Sequence, residues 1–159
     1  MSEAPGCSNH SSAGRLKPKS LKLLSFNARG LTNNIVELDV CAKEYSLDII
    51  LVQESFLKPH MRKACKLRNY VQLRTDRLGT SGGGTVLYYK RSLHCCPVDT
   101  PQLINLEVTA CKLAMSGHGT LIIVSVYLPS SKQLLRSDLE SLLALGEHVI
   151  LFGDFNSKI

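Results

Sequence analysis

The sequence lacks any apolar run long enough to cross a membrane. Its longest apolar stretches, DIILVQ and HVILF, fall well short of the roughly 18 residues that a spanning helix needs. The opening segment MSEAPGCSNHSSAGRLKPKS also has no apolar core of the signal-peptide type. We therefore expect a protein that is not secreted and that has no membrane among its partners.

The cysteines show no metal-binding pattern. The chain has six of them, with no C-x-x-C pair and no histidine at zinc-finger spacing, so a structural zinc site is not expected. Without signs of secretion the cysteines are predicted to be reduced, and Cys41 and Cys111 are interpreted as small buried hydrophobic residues.

What is present is the composition of a folded domain. Of the 159 residues, 44% are hydrophobic and 20% are charged, which is a globular balance. The polar, basic and Ser/Gly/Pro-rich residues 1–20 are predicted to be a flexible leader. Residues 21–159 show no internal repeat, and we predict that they form one domain.

Positive charge is concentrated in one stretch, from Lys58 to Arg77. Seven basic residues and one acidic residue give this stretch a charge of +6, which equals the net charge of the whole chain. Such a concentration suits a phosphate backbone, although a solvated helix face followed by a loop is an equally good interpretation. The candidate nucleic-acid-binding residues are Lys58, Arg62, Lys63, Lys66, Arg68, Arg74 and Arg77.

The first half of the domain has the pattern of a β-α-β unit. LKLLSFN alternates as a strand does, and DIILVQE is a continuous apolar run typical of a strand buried on both faces. Between them lies a helical pattern with Asn33 or Asn34 as its cap and one apolar face formed by Ile35, Leu38, Cys41, Ala42 and Tyr45. The two strands are predicted to be parallel.

The second half predicts more strands and two further helices. KPHMRKACKL is a candidate helix, the glycines of TSGGGTVLYYK open a strand, and SGHG suits a hairpin between INLEVTACKLAM and TLIIVSVYL. SSKQLLRSDLESLLALG has helical spacing with Ser130 or Ser131 as its cap, and EHVILFGD is predicted to be another buried strand. Strands from a hairpin and strands separated by helices together predict a mixed sheet with helices packed outside it.

Four buried strands end in a polar residue. These residues are Asn27, Glu54, Tyr127 and Asp154. Ligands of open α/β sheets bind at the carboxyl ends of strands, so we expect these side chains to meet in one site.

These residue types support phosphoester chemistry. Glu54 is the candidate ligand of Mg²⁺ or Mn²⁺, with Asn27 as a second ligand or a neighbour of the metal's water shell. Asp154 can activate water, and Asn156 and Tyr127 can donate to a phosphate. The alternatives are a turn former at Asn27, a buried phenol at Tyr127 and a simple Asx-turn in GDFN.

Together the motifs resemble the endonuclease/exonuclease/phosphatase superfamily. The quoted segments occur in that family's order, and they are SFNARGL, LVQES, SGGGTVLYYK, VYLPS and GDFN. The resemblance implies a four-layered α/β sandwich of the DNase I-like type, with two packed mixed sheets flanked by helices. Within the superfamily, N-A-R-G-L and GDFN followed by Ser-Lys are most similar to the endonuclease domain of insect-type non-LTR retrotransposons.

The resemblance implies a role for each matching residue. Glu54 corresponds to the metal ligand, Asn27 to a neighbour of the metal, Tyr127 to a phosphate-positioning residue, Asp154 to the water-activating carboxylate and Asn156 to a phosphate contact. The family's later Ser- or Thr-containing segment and its S-D-H motif have no match here. On this ground we expect a domain that is incomplete at its C-terminus.

The resemblance implies a metal-dependent endonuclease that nicks target DNA to prime reverse transcription, in the nucleus if the substrate is genomic DNA. Its partners would be DNA and a reverse transcriptase domain of the same element. The alternatives are a phosphatase of small phosphoesters and an inactive remnant that at most binds nucleic acid.

Overall fold

A computed structural model describes residues 15–156 of the chain. Within this range the chain forms eight strands and two α-helices, connected by turns and one short 3-10 segment. The strands are β1 (Leu23–Asn27), β2 (Ile49–Gln53), β3 (Tyr70–Thr75), β4 (Thr85–Lys90), β5 (Cys95–Val98), β6 (Glu107–Met115), β7 (Gly119–Tyr127) and β8 (Val149–Asp154). The helices are α1 (Ile35–Glu44) and α2 (Arg136–Leu143).

The strands form two four-stranded mixed sheets, in the orders β1-β2-β4-β3 and β5-β6-β7-β8. β1 is parallel to β2, and β7 is parallel to β8, while the other neighbours are antiparallel. The predicted parallel pairing across the β-α-β unit is therefore confirmed.

The layers follow from the alternation of side chains along each strand. In β2, Ile49 and Leu51 face a core shared with Cys111 and Ile123 of the second sheet. Ile50 and Val52 point the other way, into a core formed with Leu38 and Ala42 of α1. Leu142 of α2 packs with Val124 and Val126 against the far side of the second sheet. Helix, sheet, sheet and helix thus form the predicted four-layered sandwich.

The hairpin predicted at SGHG is confirmed, since β6 and β7 pair directly on either side of it. Gly117 and Gly119 have φ values of 78° and 70° there. Such angles lie in the left-handed region that glycine adopts without a steric cost.

The helix predicted for KPHMRKACKL is wrong, because residues 58–67 form turns. The carbonyl groups of Lys58 and Met61 accept hydrogen bonds from Arg74 of β3. Gln72 of β3 donates in the same way to the carbonyl of Ala64. Side chains of a neighbouring strand therefore satisfy backbone groups that a helix would have paired internally.

Other boundaries also differ from the sequence prediction. Strands β3 and β5 were not predicted, and α2 begins after Leu135 rather than at Ser130 or Ser131. Asn34 does precede α1, but its side chain bonds Ala28 and Gly30 instead of capping the helix.

Strand β8 lies at the edge of its sheet, which corrects the prediction of a fully buried strand. It pairs with β7 alone among the described strands, and Ile150 is 41% exposed.

The structure covers only part of the predicted leader, residues 1–20. Residues 1–14 lie outside the described residues, and the predicted boundary at residue 20 stays a prediction. Leu16, inside that leader, forms a bridge with Leu93.

The prediction of reduced cysteines is wrong for Cys96, which is disulfide-bonded. Four other cysteines are free thiols, and they are Cys41, Cys65, Cys95 and Cys111. Neither described helix is long and apolar enough to span a bilayer.

Candidate active site

The ends of the two parallel strand pairs meet at one edge of the sandwich. Asn27 ends β1 and lies beside Gln53 at the end of β2, while Tyr127 and Asp154 are paired at the ends of β7 and β8. The structure thus brings together residues that lie far apart in sequence, as predicted from their positions after apolar runs. An open groove of ≈ 570 Å³ runs over this edge and is lined by Ser25, Phe26, Asn27, Gln53, Gly153, Asp154, Phe155 and Asn156.

Asn27 joins the two carboxylates of the site. Its Nδ2 donates to Glu54 Oε1 at 2.8 Å and to Asp154 Oδ2 at 2.9 Å. Its Oδ1 accepts a hydrogen bond from the backbone N–H of Arg29 at 3.0 Å, which fixes the orientation of the amide. One neutral side chain therefore holds both acidic groups within reach of a common partner.

The backbone holds Glu54 in an unusual conformation. Its φ is 51°, in the left-handed region that non-glycine residues seldom adopt. The carbonyl of Glu54 accepts from the N–H of Gly30, and the next residue, Ser55, donates its N–H to the carbonyl of Gly84. Bonds to two different loops thus fix the conformation of this segment, and strain of this kind clusters at functional sites.

Tyr127 is buried, and its hydroxyl lies beside Glu54 and Arg77. Burial and, after it, the neighbouring Glu54 carboxylate together raise the pKa of Tyr127 to about 12, while the Arg77 guanidinium opposes the rise. At neutral pH the phenol is therefore protonated and able to donate a hydrogen bond.

Arg77 forms an ion pair with Glu107, a residue that the sequence did not single out. Its Nε and Nη2 donate to the two oxygens of the Glu107 carboxylate, with 3.2 Å between Nε and Oε1. Glu107 lies opposite Tyr127 in the pairing of β6 and β7, and it also accepts from the N–H of Gly84. No sequence signal marked Glu107, since its partner lies 30 residues away.

Asp154 and Asn156 form a local turn as well as part of the site. The N–H of Asn156 donates to Asp154 Oδ1 at 2.9 Å, which is the Asx-turn considered as an alternative. The other carboxylate oxygen, Oδ2, is the one bonded to Asn27, so the turn and the site coexist. The side-chain amide of Asn156 donates to the carbonyl of Leu128.

Glycine is required just before Asp154. A Cβ atom on Gly153 would lie 1.8 Å from the carbonyl oxygen of Val126, which is far inside van der Waals contact. Gly153 therefore permits the close backbone approach that carries Asp154 to Asn27.

The structure divides the seven predicted nucleic-acid-binding residues into two groups. Lys58, Arg74 and Arg77 make internal bonds to carbonyl groups or carboxylates. The remaining four are exposed and lie on the turns before β3, and they are Arg62, Lys63, Lys66 and Arg68.

The site offers hard oxygen ligands to a divalent cation. Within residues 15–156 no group of three or more His, Cys, Asp or Glu side chains is placed to hold a metal ion. Mg²⁺ does not need such a group, because it binds through one or two carboxylates and keeps several waters. Glu54 and Asp154 fit that requirement, because both side chains are partly exposed and bonded to the same amide of Asn27.

The fold and the two carboxylates that Asn27 links at the strand ends can be compared with those of known protein families. The profile of the endonuclease/exonuclease/phosphatase family matches residues 24–158, and the chain belongs to this family. The family and the DNase I-like fold predicted from the motifs are thereby confirmed.

Curated proteins similar in sequence to this chain come from mobile elements. It is 30% identical over 141 residues to the RNA-directed DNA polymerase from mobile element jockey of Drosophila melanogaster, covering 87% of this chain and 15% of that protein. A probable RNA-directed DNA polymerase from transposon BS of the same species is 26% identical over 140 residues, with the same coverage. The chain thus spans about 15% of the length of these curated relatives.

Solved structures share the fold at low sequence identity. The endonuclease domain of TRAS1, a telomere-specific non-LTR retrotransposon, has a TM-score of 0.62 and 20% identity over 86% of this chain and 60% of that chain. The APE2 catalytic domain of Xenopus laevis has a TM-score of 0.60 and 19% identity, covering 86% of this chain and 59% of that chain.

Proposed function

We propose that this chain is the endonuclease portion of a non-LTR retrotransposon protein and that it hydrolyses phosphodiester bonds of DNA with the aid of Mg²⁺ or Mn²⁺. The observation that carries the proposal is the bridge from Asn27 to both Glu54 and Asp154. It holds two carboxylates together beside an open groove that is lined by Asn27 and Asp154.

Each residue has a role that its geometry supports. A divalent cation, when bound, would polarise a phosphoryl oxygen and offset the charge on the leaving oxygen. Glu54 is the residue proposed to hold it, with Asn27 fixing the carboxylate. Asp154 orients or deprotonates the attacking water. Tyr127, protonated at neutral pH, donates to a phosphate oxygen, and Arg77 holds the phenol in place.

DNA is favoured over a small phosphoester by charge and by similarity. Four exposed basic residues precede β3 and can contact a phosphate backbone, which a small substrate would not need. The relatives are named as RNA-directed DNA polymerases of mobile elements. We propose that the nick leaves a 3′-hydroxyl that primes reverse transcription by a linked polymerase domain, on genomic DNA in the nucleus.

The test is the nicking of supercoiled plasmid by the purified chain with Mg²⁺. Nicking should disappear with EDTA and in the variants Glu54→Gln and Asp154→Asn, whereas Asp99→Asn, at an exposed position, should keep it. A DNA polymerase should then extend the nicked product, because extension needs a 3′-hydroxyl.

Three outcomes would overturn the proposal. Nicking that survives in both carboxylate variants would remove Glu54 and Asp154 from the mechanism. Release of phosphate from an inositol phosphate without any cleavage of DNA would favour the phosphatase instead. Salt-sensitive DNA binding without nicking would support a binding module only.

A further inference from the structure

Phe56 is a large aromatic side chain exposed to solvent beside the candidate active site. It is 39% exposed, although its neighbours Ser55 and Leu57 are 1% and 0% exposed. It follows Glu54 by two residues. The ring is therefore accessible to a partner, although the residues on either side of it are buried.

The backbone holds Phe56 firmly in this position. The N–H of Phe56 donates to the carbonyl of Gly83 at 2.9 Å, and on the opposite side Leu31 donates to the carbonyl of Ser55 at 2.9 Å. Its φ of 59° lies in the left-handed region, which is an outlier for a bulky residue. A conformation of this kind persists only where the surroundings enforce it, and it is concentrated at functional sites.

Two glycines make room for the ring. A Cβ atom on Gly30 would lie 3.3 Å from Phe56 Cδ2, and a Cβ on Gly82 would lie 3.6 Å from Phe56 Cε1. The ring therefore lies between the loop after β1 and the glycine loop before β4. Neither of these two glycines contributes a side chain that would cover it.

The charges near Phe56 favour an anionic polymer as the partner. Arg29, next to Gly30, is exposed. The ammonium group of Lys58 is bonded to the carbonyl of Gly82, and Arg77 lies against Gly83. An exposed cation beside an exposed ring suits a nucleic-acid strand, in which the sugars between the phosphates carry flat bases.

We propose that Phe56 stacks on a base or sugar of the DNA strand, next to the phosphodiester bond held at Glu54 and Asp154. This inference rests on the proposed function and adds to it a contact with the nucleoside beside the cleaved bond. Stacking of one base on an aromatic side chain corresponds to a roughly 5- to 150-fold change in Kd. Because the ring has no charge, this contact does not depend on the release of counterions.

The absence of tryptophan from the chain allows a direct test. Phe56→Trp introduces a single indole, whose fluorescence should be quenched when a base stacks on it. The matched control is Tyr45→Trp, at a 58% exposed position just after α1. Both variants are titrated without divalent metal with a DNA oligonucleotide, and binding is followed in parallel by the anisotropy of labelled DNA.

We expect quenching of Phe56→Trp with the same Kd as the anisotropy, and little change for Tyr45→Trp. Full DNA binding with an unquenched Phe56→Trp would overturn this inference and leave the proposed function intact. Absence of binding by anisotropy together with absence of nicking would overturn both.

A second variant distinguishes a loss of stacking from a loss of folding as the cause of weaker DNA binding. Phe56→Leu keeps an apolar side chain without an aromatic face, so DNA binding should weaken roughly 5- to 150-fold with an unchanged salt dependence. Its urea unfolding midpoint should match that of the wild type. An unchanged Kd for DNA in a folded variant would contradict the proposal.

Discussion

Gln53 of the first sheet donates a hydrogen bond to Ser125 of the second, with 3.0 Å between Nε2 and Oγ. The two residues lie 72 positions apart in sequence and are 1% and 0% exposed. Ser125 donates in turn to the carbonyl of Val52. Because Gln53 immediately precedes Glu54, this buried bond links the two sheets next to the candidate active site.

Ser125→Ala should therefore destabilise the protein. It leaves the amide of Gln53 and the carbonyl of Val52 without this hydroxyl, and an unsatisfied buried polar group costs about 1–3 kcal/mol. Urea unfolding measures the loss, with Ser130→Ala at an exposed position as the control. A change in the free energy of unfolding no larger than that of the control would contradict the interpretation.

Asn27→Asp should make stability depend on divalent metal. A third carboxylate beside Glu54 and Asp154 adds repulsion and replaces the amide group that donates to both. We expect a lower Tm without metal, and a larger rise of Tm on adding Mg²⁺ than in the wild type, because a ligand stabilises the state that binds it.

The matched control for this experiment is Asn33→Asp, at an exposed position on the loop before α1. Equal shifts of Tm with Mg²⁺ in both variants would show that the cation does not bind between the carboxylates.

Tyr127→Phe should change the stability at high pH. The pKa of Tyr127 is raised from 10.0 to about 12, so the folded state keeps a proton that the unfolded chain releases. The stabilisation that this gives is complete below pH 10 and is lost as the pH rises towards 12. Urea unfolding of Tyr127→Phe should therefore weaken less between these pH values than that of the wild type.

The same variant should lower DNA hydrolysis by roughly 100-fold, the scale for removing one donor to a developing negative charge. Tyr45→Phe, at an exposed position, is the control for both measurements. An unchanged rate would remove Tyr127 from the list of phosphate contacts.

Arg77→Lys should loosen the glycine loop although the charge is kept. The planar guanidinium makes two bonds to Glu107, and a lysine ammonium cannot reproduce that geometry. Glu107 also accepts the N–H of Gly84, so hydrogen exchange at Gly84 should become faster. Arg91→Lys, at an exposed site, should leave that exchange unchanged. Equal protection of Gly84 in both variants would mean that the ion pair does not hold the loop.

Replacement of the exposed basic residues before β3 with glutamine should weaken DNA binding and reduce its salt dependence. Each lost phosphate contact lowers the slope of log K against log salt by roughly 0.9. The variant combines Arg62, Lys63, Lys66 and Arg68. The control variant replaces four other exposed basic residues with glutamine and therefore has the same net charge. These residues are Lys22, Lys43, Lys112 and Arg136. An equal loss in both would indicate an effect of net charge and not a binding surface.

The sequence predicted the parts of the structure that depend on local pattern. Apolar runs located β2, β7 and β8, and the glycines of SGHG located the hairpin, because strand periodicity and left-handed turns leave a direct trace in residue type. Motif order identified the family. The wrong helix prediction has a tertiary cause: residues 58–67 have a composition compatible with a helix, but Arg74 and Gln72 of a later strand bond their carbonyl groups.

The sequence by itself determined which residue types stand at the strand ends, and therefore the candidate chemistry of Asn27, Glu54 and Asp154. Only the tertiary structure decided that one amide bonds both carboxylates, and that Glu107 holds Arg77 beside Tyr127. The reason is physical. Local sequence sets the direction and burial of a strand, whereas contacts between side chains 27 to 127 residues apart depend on the register and packing of two complete sheets.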